Sequence, residues 1–195
     1  MARILNIGSV NIDHVYRMPH FVQPGETLSS LSLAHFPGGK GLNQSVALAL
    51  AGGDVTHAGK VGPDGGGMVE TLRTAGVRVE QMDTGGSATG HTVIQVNQAG
   101  QNCIILYPGA NHELEREYID RVVAQFSPGD IVVLQNEVNE LAYIMEAAHE
   151  QGLRIAFNPS PIGPAIEACP LQYVSWFILN EIEGKALTGK ADARE

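Results

Sequence analysis

The sequence predicts an α/β fold: a largely parallel sheet with covering helices, and a small antiparallel β lid beside it. From residue 55 onward, short apolar runs alternate with stretches of helical periodicity, and three extended segments, 11–18, 28–36 and 91–107, fall outside that rhythm. There is no internal repeat, low-complexity tract or linker, which favours one domain over residues 1–195 with the lid inserted into it.

Residues 3–9 are a short apolar run closed by Gly8 and Ser9, the pattern of a buried strand that delivers its following loop to a site. Residues 12–18 alternate imperfectly, and 28–36 form a second extended stretch between Pro24-Gly25 and Pro37-Gly38. The stretch 41–51 has the density of small and apolar residues of a helix packed on a sheet, and Gly52-Gly53 stops it. A strand follows over 55–61. Pro63-Asp64-Gly65 then turns the chain into a helix over 66–75, with Met68, Leu72 and Ala75 on one face and Gly76 behind it. The runs HTVIQV and NCIILY flank 97–101 as a hairpin. Beyond it the pattern reads helix 114–126, strand 130–134, helix 139–151, strand 153–157, strand 176–179 and helix 181–187. Strands separated by helices pair in parallel, and the segments out of rhythm form a lid over a cleft.

With 44% hydrophobic and 17% charged residues, 195 residues suffice for a substantial core. A formal net charge of -9, with 12 scattered Lys and Arg, argues against a nucleic-acid partner. Cys103 and Cys169 have neither zinc nor disulfide spacing, and the seven histidines make no metal motif. The N-terminus reaches polar Asn6 too early for a secretory signal core, and no apolar run spans a bilayer, so a cytoplasmic protein without a membrane partner is the expectation.

Asn11 and Asp13, two apart on an extended segment, point to one face just after a buried strand. A carboxylate accepts and an amide does both, which suits adjacent hydroxyls; the competing reading is an Asx-turn closing the strand. In Phe36-Pro37-Gly38-Gly39-Lys40-Gly41-Leu42-Asn43-Gln44, three glycines surround a lysine at a helix start. Backbone there can approach a ligand closely, with Lys40 and Asn43 as donors, or the stretch is a glycine-rich turn with a solvated lysine. No Walker A loop is present: 53–60 has one residue too many and Val61 replaces the Ser or Thr, while Gly65-Gly66-Gly67 lacks the dinucleotide spacing. His14, beside Asp13, is a weaker candidate for tuning such a site.

Asn11-x-Asp13, then Gly38-Gly39-Lys40-Gly41-x-Asn43-Gln44, then Asn180-Glu181-x-Glu183 before Leu187-Thr188-Gly189 occur in the order found in ribokinases. Val61-Gly62-x-Asp64, Tyr107-Pro108-Gly109-Ala110-Asn111 and Asn158-Pro159-Ser160-Pro161 match further landmarks, so the chain resembles the ribokinase (PfkB) family over all 195 residues. The resemblance implies a three-layer α/β sandwich whose β lid closes over the sugar and in many members builds a homodimer. It implies sugar contacts from Asn11, Asp13, Gly39, Lys40, Asn43 and Glu137. Alone, Glu137 reads equally as a first-turn helix carboxylate. By the same resemblance Asn180 lies near the nucleotide phosphates and Glu183 meets Mg2+ through water, although a lone Glu183 is more often a solvated helix residue.

The implied reaction is ATP- and Mg2+-dependent phosphorylation of a sugar primary hydroxyl, with D-ribose giving ribose 5-phosphate. Leu42 stands where ribokinases often carry a smaller residue. Other family kinases, for fructose, fructose 1-phosphate or nucleosides, remain alternatives, as does a non-catalytic sugar-binding remnant or regulator. The family's Gly-Ala-Gly-Asp run, with its anion hole and general base, does not occur in these residues, so no catalytic residue is assigned among them and the general base is expected beyond Glu195. The residues implied to hold adenine and a stimulatory K+ would lie with it. The expectation is therefore a fragment, incomplete at the C-terminus, that stops over 190–195 without a capping element, is prone to aggregate, and does not turn over.

Overall fold

A computed structural model describes residues 2–190. The reading of 190–195 falls outside the described residues from 191 on, and so does the placing of the general base beyond Glu195. Ten strands and five α-helices alternate along the described residues: β1 (Ile4–Ile7), β2 (Asn11–Arg17), β3 (Ser32–Gly38), α1 (Lys40–Leu50), β4 (Val55–Lys60), α2 (Gly66–Thr74), β5 (Arg78–Asp83), β6 (Gly90–Val96), β7 (Asn102–Tyr107), α3 (Arg116–Val123), β8 (Ile131–Gln135), α4 (Leu141–Glu150), β9 (Arg154–Asn158), β10 (Val174–Phe177) and α5 (Glu181–Thr188). The main sheet has the order β10-β9-β8-β1-β4-β5, and all its pairings are parallel. The chain therefore leaves β1 toward β4 and β5 on one side and later returns to place β8 on the other. The gap between β1 and β8 is a topological switch point, where open α/β sheets form a crevice outside the carboxyl ends of the strands.

Strand alternation sorts β1 between two helical layers. Leu5 and Ile7, with Val132, Leu134, Ile155 and Phe157, pack against Ile119 and Val122 of α3 and Ile144, Met145 and Ala148 of α4, all buried. On the other face Ile4 and Val55 meet Leu42 of α1 and Val69 and Leu72 of α2. Helix α3 shows the logic locally: Tyr118, Ile119, Val122 and Val123 are buried, while Glu117, Asp120 and Arg121 face water. On the α1 side, α1 reaches β8, and Ala156 of β9 and Trp176 of β10 lie beyond it. A hollow of about 510 Å³, lined by Ile4, Ala47, Leu48, Ile131, Val133 and Trp176, lies there.

The lid is a four-stranded sheet of order β3-β2-β6-β7. It is mixed rather than antiparallel, because β2 and β6 pair in parallel while β2–β3 and β6–β7 are antiparallel. The reason lies in the connections: β2 and β6 both rise from the carboxyl end of the main sheet, after β1 and β5, and each is returned by its own hairpin partner. Pro37 within β3 is tolerated because β3 is an edge strand. Strand β5 has no counterpart in the sequence reading, since RVEQMD lies at the sheet edge, half exposed, and never forms an apolar run. No described helix is long and apolar enough to cross a membrane.

Candidate functional site

The buried run of β1 ends at the switch point, and the turn Gly8-Ser9-Val10 that follows is clipped to α1 on one side and to the end of β8 on the other. Gly39 adopts φ 92°, a left-handed conformation, and a Cβ there would come within 2.8 Å of the Ser9 carbonyl. Gly41 packs directly on the turn, where a Cβ would lie 2.5 Å from the Ser9 nitrogen. Leu42 N–H donates to the Ser9 carbonyl (2.9 Å) and Gly41 N–H to Ser9 Oγ (3.2 Å).

Glu137, just beyond β8, ties these pieces together. Its Oε2 accepts from Ser9 Oγ (2.5 Å) and Lys40 N–H (3.0 Å), and its Oε1 accepts from Lys40 Nζ (2.8 Å). The Glu137 side chain is 9% exposed and that of Lys40 37%. A nearly buried carboxylate is tolerated because a cation and two further donors compensate its lost hydration. Below it, Asn6 Nδ2 donates to the Gly41 carbonyl (2.9 Å), and Gln135 Nε2 donates to Asn6 Oδ1 (3.0 Å) and Gln44 Oε1 (2.7 Å).

Asn11 and Asp13 share one face of β2, opposite Gly38 and Phe36 of β3. Asn11 is 3% exposed and its Oδ1 accepts from Asn111 Nδ2 (2.7 Å). Asp13 Oδ1 accepts from Thr92 Oγ1 (2.6 Å), which fixes the carboxylate and leaves Oδ2 without a protein donor among the described residues. A cavity of about 230 Å³ is lined by Asn11, Asn111, Asn136 and Glu137 on its polar side and by Leu106 and Pro108 from the lid. Such a lining, a few polar groups set against apolar carbons, suits a small molecule.

Of the residues singled out by sequence, Asn11 and Glu137 line this cavity, Gly39 and Lys40 are joined to it through Glu137, and Asp13 stands one pleat along the same face. Asn43 lies on the exposed side of the first turn of α1, its amide making no hydrogen bond among the described residues, and it is not part of the lining. Asn180 and Glu183 are elsewhere. They form a reciprocal capping box on α5, Asn180 Oδ1 accepting from Glu183 N–H (2.9 Å) and Glu183 Oε2 from Asn180 N–H (3.0 Å). They follow β10, three strands from β1, or about 14 Å across the sheet.

His14 points to the face of β2 opposite Asp13, where it meets His35 and His91 edge-on at centroid distances of 4.7 and 5.7 Å. Burial, and then the neighbouring His35 and His91, hold its imidazole below the ordinary histidine range. Asp64 accepts from Thr89 Oγ1 (2.6 Å) and Thr89 N–H (3.0 Å), bonds that keep its carboxyl below the usual range and tie the loop after β4 to the start of β6. Cys103 and Cys169 are free thiols, and no group of three or more His, Cys, Asp or Glu among the described residues is placed to hold a metal ion. Sequence reasoning assigned no role to Ser9, Thr92 or Asn111. Each is one polar residue whose partner lies 79 to 128 positions away, and only Asn111 stood in a recognisable motif.

The pfkB family carbohydrate kinase pattern matches residues 1–195. A ribokinase of Haemophilus influenzae is 31% identical over 194 residues, covering 97% of this chain and 63% of that protein. The crystal structure of a ribokinase from Cryptococcus neoformans var. grubii serotype A in complex with ADP superposes with a TM-score of 0.82 at 40% identity, over 95% of this chain and 59% of that one. A ribokinase from Thermotoga maritima gives a TM-score of 0.84 at 32% identity, over 96% of this chain and 62% of that one. The chain thus spans somewhat under two thirds of the length of these relatives. With the family pattern matched from end to end, it belongs to the pfkB family of carbohydrate kinases.

Proposed function

We propose that the protein carrying this chain transfers the γ-phosphoryl group of ATP to the primary hydroxyl of a sugar, D-ribose in the first instance, giving ribose 5-phosphate. The observation that carries the reading is that Asn11 and Glu137 line one cavity against Leu106 and Pro108, with Lys40 paired to Glu137 and Asp13 one pleat along β2 from Asn11. In this reading Asn11 and Asp13 grip adjacent ring hydroxyls, Lys40 donates to a further oxygen, and Glu137 holds Lys40 and the Gly38–Gly41 turn in place, while Asn43, on the exposed side of α1, would reach only an oxygen that projects beyond the cavity. Leu106 and Pro108 cover the sugar carbons and exclude water. The contribution of these residues is orientation, which can supply about 7–11 kcal/mol of a barrier when reacting groups are held in place.

Asn180 and Glu183 would meet the nucleotide end. Glu183 keeps one carboxylate oxygen free of the capping box, which fits a single water-mediated contact to Mg2+ and does not fit an inner-sphere cage. Bound Mg-ATP supplies the phosphoryl group and neutralises its developing charge. The reading assigns no general base within residues 1–195. The exposed edge strand β7, with Ile104, Ile105 and Leu106 at 53, 63 and 44%, supports a homodimer joined through the lid.

The test is Asp13→Ala in the complete protein. Loss of one charged hydrogen-bond partner, worth about 1.5–3 kcal/mol, should weaken sugar binding roughly 10- to 100-fold. Unchanged sugar affinity by calorimetry would remove Asp13 from the site.

A further inference from the structure

Asn111 sits in the 3-10 turn Gly109–His112, immediately after the lid, and is 2% exposed. Its Oδ1 accepts from Val10 N–H (2.9 Å), while its Nδ2 donates to the Val10 carbonyl (3.3 Å) and to Asn11 Oδ1 (2.7 Å). A backbone N–H can only donate and a carbonyl only accept, so Val10 fixes which end of the Asn111 amide is which. Turning that amide over would set two donors and two acceptors face to face in a buried place. With both Asn111 Nδ2 protons spent, Asn11 must offer its oxygen to Asn111. Its own Nδ2, which has no protein partner among the described residues, then faces the cavity that Asn11 lines.

We propose that Asn111 is a positioning residue that presets Asn11 as a hydrogen-bond donor toward the bound molecule. Rotation of a free asparagine would let the cavity present either a donor or an acceptor at this point; the Val10–Asn111–Asn11 relay removes the choice. Beside it Asp13, held by Thr92, presents an acceptor. The pair is therefore polarised: it takes a ligand oxygen with a free lone pair at Asn11 and a hydroxyl proton at Asp13, as two neighbouring sugar oxygens can supply. The inference rests on the reading of the cavity as a sugar site for the identity of the ligand, and on the relay alone for the direction of the donor.

Two measurements test it. In the unliganded complete protein, side-chain amide exchange followed by NMR should be slow at Asn111 Nδ2 and fast at Asn11 Nδ2. In Asn111→Asp, whose second carboxylate oxygen draws in the Asn11 amide, exchange at Asn11 Nδ2 should become slow, and D-ribose affinity by calorimetry should fall about tenfold or more. In an Asn11→Ala background Asn111→Asp should cost no further affinity, which separates positioning from general damage. Fast exchange at Asn111 Nδ2 in the wild type, or equal losses in both backgrounds, would overturn the proposal. If the wild type bound no sugar but showed the stated amide pattern, the sugar reading would fall and the preset donor would stand. The wild-type exchange decides the matter even if Asn111→Asp does not fold.

Discussion

His57 of β4 is fully buried beneath α1, its Nδ1 2.7 Å from Ser45 Oγ and its Nε2 without a well-formed hydrogen bond. Burial holds its pKa down, from the ordinary 6.5 to about 4, against a smaller opposing pull from the Gly8 backbone. The folded protein therefore refuses a proton that the unfolded chain accepts from pH 6.5 downward. Stability from this group is complete above pH 6.5 and is lost as pH falls toward 4. At ~1.36 kcal/mol per pH unit the full loss is about 3 kcal/mol, of which about 2 kcal/mol has gone by pH 5. Urea unfolding of the complete protein at pH 7 and pH 5, compared with His57→Asn, isolates the contribution from the other histidines. The parent should lose about 2 kcal/mol more than the variant between the two conditions. Equal losses would refute the argument, and so would an imidazole NMR signal of His57 that titrates near 6.5.

Glu137→Gln keeps the shape but removes the ion pair to Lys40 and sets an amide N–H against a Lys40 donor that cannot accept it. We expect a stability loss of about 2 kcal/mol, discounted for the part-exposed lysine, together with weaker sugar binding, measurable by denaturant titration and calorimetry. Gly41→Ala sets a methyl 2.5 Å from the Ser9 nitrogen, which forces α1 off the turn. Kinase activity should fall at least about tenfold even where the fold survives, because the reacting groups are displaced. Asn180→Ala breaks the capping box of α5 and should cost about 1 kcal/mol locally, seen as faster amide exchange over Glu181–Thr188, with sugar affinity unchanged. Ile104→Lys on the exposed lid strand should convert a dimer to a monomer by light scattering, and a parent already monomeric would remove the lid interface from the account.

The main sheet was legible because each buried strand is an apolar run between helices of clear period, as at 130–134 and 139–151, and such patterns are local. Strand β5 was not, since an edge strand half in water carries no apolar signature. The lid segments stood out by breaking the rhythm, but their mixed pairing depends on where β2 and β6 leave the main sheet, a non-local fact. At the candidate site, spacing drew attention to Asn11, Asp13 and the glycine-lysine turn but left an Asx-turn and a solvated lysine as rival readings, and only the family resemblance made them sugar contacts. Spacing did not mark their supports: Ser9, Thr92 and Asn111 act on partners more than 75 residues away, and a single serine, threonine or asparagine carries no local mark of that. Glu137 was visible as a strand-end carboxylate, whereas its grip on Lys40 required the two loops to meet across β1 and β8.

In the proposed function the crevice between β1 and β8 holds a sugar for phosphorylation. It is tested most directly by following ADP release from Mg-ATP by the complete protein with D-ribose, fructose, fructose 1-phosphate and adenosine as acceptors. D-ribose should give the highest kcat/KM, with a product phosphorylated at the 5-hydroxyl. Faster turnover of adenosine or of fructose 1-phosphate would contradict the ribose assignment, and turnover of none of the four would contradict the claim itself.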